Sequence, residues 1–256
     1  MRITLIQDNI VWADKMANLK QLANHLVTLS GKTDLVVLPE MFTTGFCVDN
    51  LELAEPMDGN TMTTLKALAL EHQLAITGSF VAIENDKYFN RAFFIYPDRR
   101  VEYADKRHLF THGNEDHFFT AGSRKLLVNY CGFNICVLVC YDLRFPVWSR
   151  NIDNEYDLLI YVANFPEKRI RDWDIMLKSR AIENTAYVCA VNRVGVDDLG
   201  IAYNGHSMLL DAKANEMLAF LDNESSIQTK EIHVDNLHNF RARFAVWKDA
   251  DRFQIL

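Results

Sequence analysis

The sequence predicts a layered α/β protein, and two observations carry that reading. Short runs rich in valine and isoleucine recur along the 256 residues, several of them apolar at every position, as strands buried on both faces require. Between these runs apolar residues step by three or four, the spacing of helices with one buried side. Strands alternating with helices pack as layers, with sheet inside and helix outside. No low-complexity stretch, charge block or linker divides the chain, so residues 1–256 are read as one domain. Ten glycines and five prolines are few for this length, which suits long regular elements joined by compact turns.

Each element follows in order. Ile3–Ile6 reads as the first strand. Asp14 is a candidate N-cap for a helix whose Leu19, Leu22, Leu26 and Leu29 share one side. Leu35–Leu38 is a buried strand that Pro39 ends. A second helix follows Asn60, with Met62, Leu65, Leu68 and His72 on its inner side. Leu74–Phe80, Ala92–Tyr96 and Val101–Asp105 are strands, as are Ile135–Val139, Leu158–Val162 and Ala186–Val191. Trp173, Met176, Leu177, Arg180 and Ala181 mark a third helix. One internal echo stands out: Asp34–Phe42 aligns without a gap to Asp157–Phe165, with Asp, Leu and Phe identical. It implies two similar halves whose strand ends converge.

Composition excludes several functions. The net charge of −7, with no basic stripe, makes nucleic acid a poor partner. The longest apolar runs, Ile135–Tyr141 and Leu158–Ala163, fall far short of the ~20 residues of a membrane helix. Met1–Gln7 lacks a basic leader region, and Gln7, Asp8 and Asn9 end its apolar stretch, so no secretory signal is read. Five cysteines, odd in number and sparse, are no disulfide framework. Reduced thiols and a cytoplasmic location are expected. Cys131, Cys136 and Cys189 are read as strand core.

Ligands of open α/β sheets collect beyond the carboxyl ends of strands, and three polar residues stand at such ends. Glu40 follows Asp34–Pro39, Lys106 follows Val101–Asp105, and Cys140 follows Ile135–Val139. Singly each has a plainer explanation, because a strand-end cysteine is usually a small core residue and a loop lysine is usually surface. Together they form a chemical set. A thiol attacks carbonyl or nitrile carbon once a carboxylate takes its proton, and an ammonium stabilises the oxyanion that results. Rival sets are weaker. Gly205-His206-Ser207 is not a nucleophile elbow. His108, His112, Glu115 and His117 lie within ten positions, yet they lack the His-Glu-x-x-His spacing of a zinc helix, so no metal is expected. No Cys-x-x-Cys and no glycine-rich phosphate loop occur, so no cofactor is expected either.

Leu38-Pro39-Glu40-Met41-Phe42, Asp105-Lys106-Arg107-His108-Leu109-Phe110 and Val139-Cys140-Tyr141-Asp142-Leu143-Arg144-Phe145-Pro146 resemble, in this order, the three signature segments of the carbon–nitrogen hydrolase (nitrilase) superfamily. The segment from Trp173 to Arg180-Ala181-Ile182-Glu183-Asn184 resembles the helix that follows the active-site strands in that family. The resemblance implies a four-layer α-β-β-α sandwich with Cys140 as nucleophile, Glu40 as general base and Lys106 as oxyanion stabiliser. Glu115, seven residues before Gly122, matches the family's second active-site glutamate. The Tyr141 N–H would be the second oxyanion donor. A homodimer or larger assembly is implied, with the Trp173–Asn184 helix and the C-terminal segment at its interface.

Pro39–Phe46 and Arg144–Asn151 resemble the bacterial ω-amidase branch, which hydrolyses the terminal amide of 2-oxo dicarboxylate monoamides such as 2-oxoglutaramate. A small amide bearing a carboxylate needs a cation or several N–H donors to hold it. Arg144, Lys168, Arg169 and Arg193 are candidates, and Tyr141, Arg144, Asn164 and Phe165 are the expected substrate-binding residues. A nitrilase or N-carbamoyl amide hydrolase would share the catalytic set. A non-catalytic interaction domain is the third reading, and the joint presence of Glu40, Lys106 and Cys140 argues against it.

Overall fold

The computed structural model describes residues 1–255, which form two six-stranded mixed sheets. The first contains β1 (Arg2–Gln7), β2 (Leu35–Val37), β3 (Ala75–Glu84), β4 (Lys87–Ile95) and β5 (Val101–Asp105). The second contains β6 (Leu126–Tyr130), β7 (Phe133–Val139), β8 (Leu158–Ala163), β9 (Tyr187–Asn192), β12 (Met208–Leu210) and β13 (Glu216–Ala219). β10 (Val194–Val196) and β11 (Ala202–Asn204) form a separate hairpin. β14 (Ser226–Glu231) returns to pair with β1 at the edge of the first sheet.

Helices cover both outer faces. α1 (Lys15–Leu29) starts where the Asp14 carboxylate accepts the Ala17 N–H at 2.9 Å. α2 (Asn60–His72) begins at Asn60 itself, and the Glu55 carboxylate takes the Thr61 N–H at 2.7 Å. Leu19, Leu22 and Leu26 of α1 join Met62 and Leu65 of α2 over Val36, Leu38 and Ile76 of the first sheet. Each fully buried leucine contributes about 1.5–3 kcal/mol, so this stripe fixes the layer. Between the sheets, Ile3, Leu5, Leu35, Val37 and Phe94 share one apolar cluster with Ile135, Val137 and Leu158. α5 (Ile170–Asn184) adds Trp173, Leu177 and Ala181 to it from the far side. The order is helix, sheet, sheet, helix, as the sequence predicts. Two short helices, α3 (Glu115–Phe118) and α4 (Pro146–Ser149), sit in loops. α6 (Val234–Arg243) docks through Arg241, which donates to Asp157, Tyr156 O and Thr185 O at the amino ends of β8 and β9. Among the described residues no helix is long and apolar enough to cross a membrane.

The internal echo corresponds to a structural repeat. From β14 to β5 the neighbouring pairs run antiparallel, parallel, parallel, antiparallel, antiparallel, and from β6 to β13 they run the same way. Asp34 and Asp157 hold equivalent places in the two sheets. Each carboxylate accepts a backbone N–H of the preceding parallel strand, from Arg2 at 2.7 Å and from Asn134 at 3.0 Å. Each N–H returns to the carbonyl of that same residue, at 3.0 and 2.7 Å.

Two turns explain departures from the apolar pattern. β3 and β4 run beyond their apolar runs because Asn85 and Asp86, both at positive φ, close a two-residue hairpin of the kind that matches strand twist. Cys131 and Gly132 make the same turn between β6 and β7. Cys131 is therefore exposed and not strand core, a correction to the sequence reading, whereas Cys136 and Cys189 are buried in β7 and β9.

Candidate active site

Glu40, Lys106, Cys140 and Asn164 follow β2, β5, β7 and β8, and the two sheets bring these strand ends together. Glu40 sits just before Met41, whose φ of 44° turns the chain sharply. The turn is held by Ser79 Oγ, which accepts the Met41 N–H at 2.9 Å. Lys106 is fixed through its backbone: its N–H donates to Asn90 O and its carbonyl accepts the Gly122 N–H, at 2.9 and 2.8 Å. Gly122 passes so near that a Cβ there would lie 2.0 Å from the Asp105 carbonyl, so only glycine fits. Cys140 takes φ of 43° at the end of β7, a conformation costly for a residue with a side chain and typical of functional turns. Asp142 steadies that turn. One carboxylate oxygen accepts the Val139 N–H at 3.1 Å, and the other accepts His108 N–H and Nδ1 at 3.1 and 2.8 Å.

The side chains converge in a buried polar cluster. Lys106 Nζ donates to Glu40 Oε1 at 2.8 Å and to Glu115 Oε2 at 2.9 Å, with all three side chains fully buried. Asn90 Nδ2 bridges the same carboxylates at 2.8 and 3.0 Å. The second Glu40 oxygen accepts the Asn164 N–H at 2.9 Å, and Phe110 N–H donates to Glu115 at 2.6 Å. Such a cluster is costly unless every lone pair is used, and here nearly all are. Cys140 Sγ lies 3.9 Å from the Asn164 carbonyl.

Electrostatics follow from this burial. Burial alone would lower the Lys106 pKa, but Glu115 and Glu40 outweigh it, so the ammonium is held charged. Burial raises the Glu115 carboxyl, opposed by Lys106 and reinforced by the charge of Glu40. Burial and then Glu40 push the Cys140 thiol well above an ordinary cysteine, with Lys106 pulling only part of the way back. The resting sulfur is a neutral thiol.

A cavity of about 740 Å³ opens onto Cys140 and Lys106. Tyr141, Arg144, Asn164 and Phe165, the four residues named from the sequence for substrate binding, all line it. Asn164 also does structural duty, because its amide holds the Glu40 carbonyl at 2.7 Å. Arg193, by contrast, lies outside the cavity wall. It is fully buried against Tyr203 and donates to Asn9, Ile10 O and Val194 O, so it is corrected from substrate anchor to structural residue. The histidine-rich loop separates: Glu115 is spent on Lys106, while His108 stacks on Phe145 at 3.7 Å and pairs with Asp142. Among the described residues no three potential metal ligands cluster. Sequence reasoning passed over Asn90 and Ser79. Asn90 is fully buried between Phe89 and Arg91 on β4, and that burial is visible only in the fold.

The chain matches the carbon–nitrogen hydrolase family over residues 2–242. It is 39% identical to the Omega-amidase YafV of Yersinia enterocolitica over 256 residues, covering all of this chain and 99% of that one. It is 30% identical to the 2-oxoglutaramate amidase of Bacillus subtilis, covering 96% of each. Its backbone superposes with a TM-score of 0.97, at 38% identity, on the crystal structure of a CN-hydrolase superfamily protein from Xanthomonas campestris that has an arsenic adduct in its active site, covering 100% of this chain and 99% of that one. Fold, match and full-length identity agree, and the chain belongs to the carbon–nitrogen hydrolase family.

Proposed function

We propose that this single-domain hydrolase is an ω-amidase that cleaves the terminal amide of a small carboxylate-bearing substrate, of the 2-oxoglutaramate or 2-oxosuccinamate type, to acid and ammonia. The observation that carries the reading is the buried cluster of Glu40, Lys106 and Glu115 beside the Cys140 thiol at the floor of one cavity. The substrate class rests on the amidases to which the chain is similar along its whole length.

In this reading Glu40 is the general base. A raised thiol pKa leaves little thiolate, so proton removal has to accompany attack. Cys140 sulfur bonds to the amide carbon while Glu40 takes the thiol proton. Lys106 has three donors; one goes to Glu40, one is shared between the two Glu115 oxygens, and the third meets the developing oxyanion together with the Tyr141 N–H. Collapse breaks the carbon–nitrogen bond, and Glu40 returns its proton to the leaving nitrogen, which departs as ammonia. A water then gives a proton to Glu40 and its oxygen to the thioester carbon. The acid leaves as the sulfur recovers the proton. No metal or organic cofactor enters these steps. A nitrile substrate would engage the same residues but would need water, and not only an amine departure, to release nitrogen.

The chain is further proposed to act in the cytoplasm as a homodimer, a reading supported by Ile175 and Ile182, which α5 leaves more than half exposed. Ammonia release from a panel of ω-amides and nitriles, with Cys140→Ala as control, tests the function. Turnover of dicarboxylate monoamides that Cys140→Ala abolishes is the expected result; preferred cleavage of nitriles, or ammonia release that survives Cys140→Ala, would reject it.

A further inference from the structure

Four cations were candidates to receive the carboxylate of the substrate, and their surroundings differ. Arg193 is absent from the cavity wall, and although its Nη1 has no partner, its Nε and Nη2 are held by backbone carbonyls and Asn9. Arg144 lines the cavity, but its Nη2 is tied to Asp172 at 2.6 Å. Lys168 is exposed, so water already solvates its ammonium. Arg169 lines the cavity half-buried, with its guanidinium stacked 5.0 Å from the centre of the Phe110 ring. Among the described residues it makes no ion pair and its side chain donates no hydrogen bond.

That combination is what an anion site requires. This cation–π contact uses none of the N–H groups, so the planar fork stays free for two parallel bonds to a carboxylate. The ring beneath it is no bystander, because Phe110 N–H donates to Glu115 at 2.6 Å. The arginine is thus referenced to the loop that positions Glu115 and, through it, Lys106. Arg169 also stands at the start of α5, where the helix dipole adds positive potential. The acidic residues nearby, Asp49 and Glu167, are exposed at the rim and leave the stacked fork unpaired. Phe46, Val48 and Phe118 supply an apolar wall for the methylene spacer of the substrate.

Resting on the ω-amidase reading, we propose that Arg169 is the specificity-determining residue, the cation that pairs with the free carboxylate of the substrate and so selects ω-amides of dicarboxylic acids over neutral amides. Arg144 is then held by Asp172 as part of the cavity mouth.

The test compares two five-carbon amides, 4-carbamoylbutanoate and pentanamide, which differ in having a carboxylate or a methyl at the far end. Steady-state kcat/KM is measured for both with the full-length wild type, Arg169→Gln, Arg169→Lys and Arg144→Gln. The expected result is a fall in the charged-to-neutral ratio of roughly 10²-fold in Arg169→Gln, borne mainly by KM of the carboxylate substrate. Arg169→Lys recovers part of that ratio, since it keeps the charge and loses the fork. A merely structural arginine would lower both substrates together and leave the ratio in place, which overturns the proposal. A wild-type preference for the carboxylate that survives Arg169→Gln but is lost in Arg144→Gln overturns it as well and leaves the ω-amidase reading standing. A wild type with no preference between the two amides rejects the substrate reading itself and Arg169 as its anchor with it.

Discussion

Lys106 Nζ contacts both carboxylate oxygens of Glu115, at 2.9 and 3.2 Å, with both side chains fully buried. Glu115 also accepts from Phe110 N–H and Asn90 Nδ2, so it is held rigidly and holds the lysine in turn. Glu115→Gln preserves shape but replaces one acceptor oxygen with an N–H pair aimed at an ammonium. The outcome expected is a drop in kcat of about 10²-fold or more, with KM changed far less, because the damage falls on transition-state alignment. Steady-state ammonia release checks it. A variant with normal kcat would make Glu115 a packing residue.

Lys106→Met should likewise lose kcat far more than it raises KM. Negative charge on the substrate oxygen develops fully only in the transition state, so the ammonium acts on the barrier more than on binding. Loss of one oxyanion donor costs roughly 10²–10³ in rate. Lys106→Arg should fail too: the ammonium is completely buried between two carboxylates, and a guanidinium does not fit that volume. A raised KM at unchanged kcat in Lys106→Met would instead make Lys106 an anchor for the substrate carboxylate.

The pH profile follows from the directions of the shifts. Glu115 is raised by burial, and proton uptake by the carboxylate cluster as pH falls discharges groups that must be charged. Activity should therefore fall on the acid side with a limb displaced above the range of an ordinary glutamate. Lys106 is raised and Cys140 is raised well above an ordinary thiol, so neither loses its proton near pH 8–9, the range of a free cysteine. A plateau is expected there, measured as kcat/KM against pH. A basic limb near 8.5 would show that Cys140 titrates as an ordinary thiol and that proton removal by Glu40 is not required.

Glu40 and Cys140 were legible as polar residues closing apolar strands and Lys106 as the end of the mixed strand Val101–Asp105, and the resemblance of their segments to a known family joined the three. The repeat was legible through Asp34 and Asp157, whose carboxylates do the same task in both sheets. β14 was not legible, because it lies at the sheet edge with no buried residue and Ser226–Glu231 reads as polar. Asn90 was hidden for the opposite reason: nothing in a local window shows that a strand amide points between two distant glutamates. Arg193 was offered as a candidate anchor because sequence cannot tell a buried arginine bonded to carbonyls from one facing a cavity.

Asp142 links the nucleophile turn to the segment that carries Lys106, and this coupling is separable from simple packing. One of its oxygens holds Val139, the residue before Cys140, and the other holds His108, two residues after Lys106. Asp142→Asn keeps a single oxygen, so one tether is lost while the volume is unchanged. The buried bond should cost about 1–3 kcal/mol in stability, read as a lowered urea midpoint. Activity should fall further than stability explains, because the strained φ of Cys140 persists only while its surroundings enforce it. His108→Ala removes the ring but keeps the backbone N–H bond to Asp142, so its loss should be smaller. If the two residues act through one tether, the double variant will lose little more kcat than Asp142→Asn alone. Losses that add fully would show that His108 and Asp142 act independently, and kcat that only tracks the folded fraction would reduce the pair to a stability element.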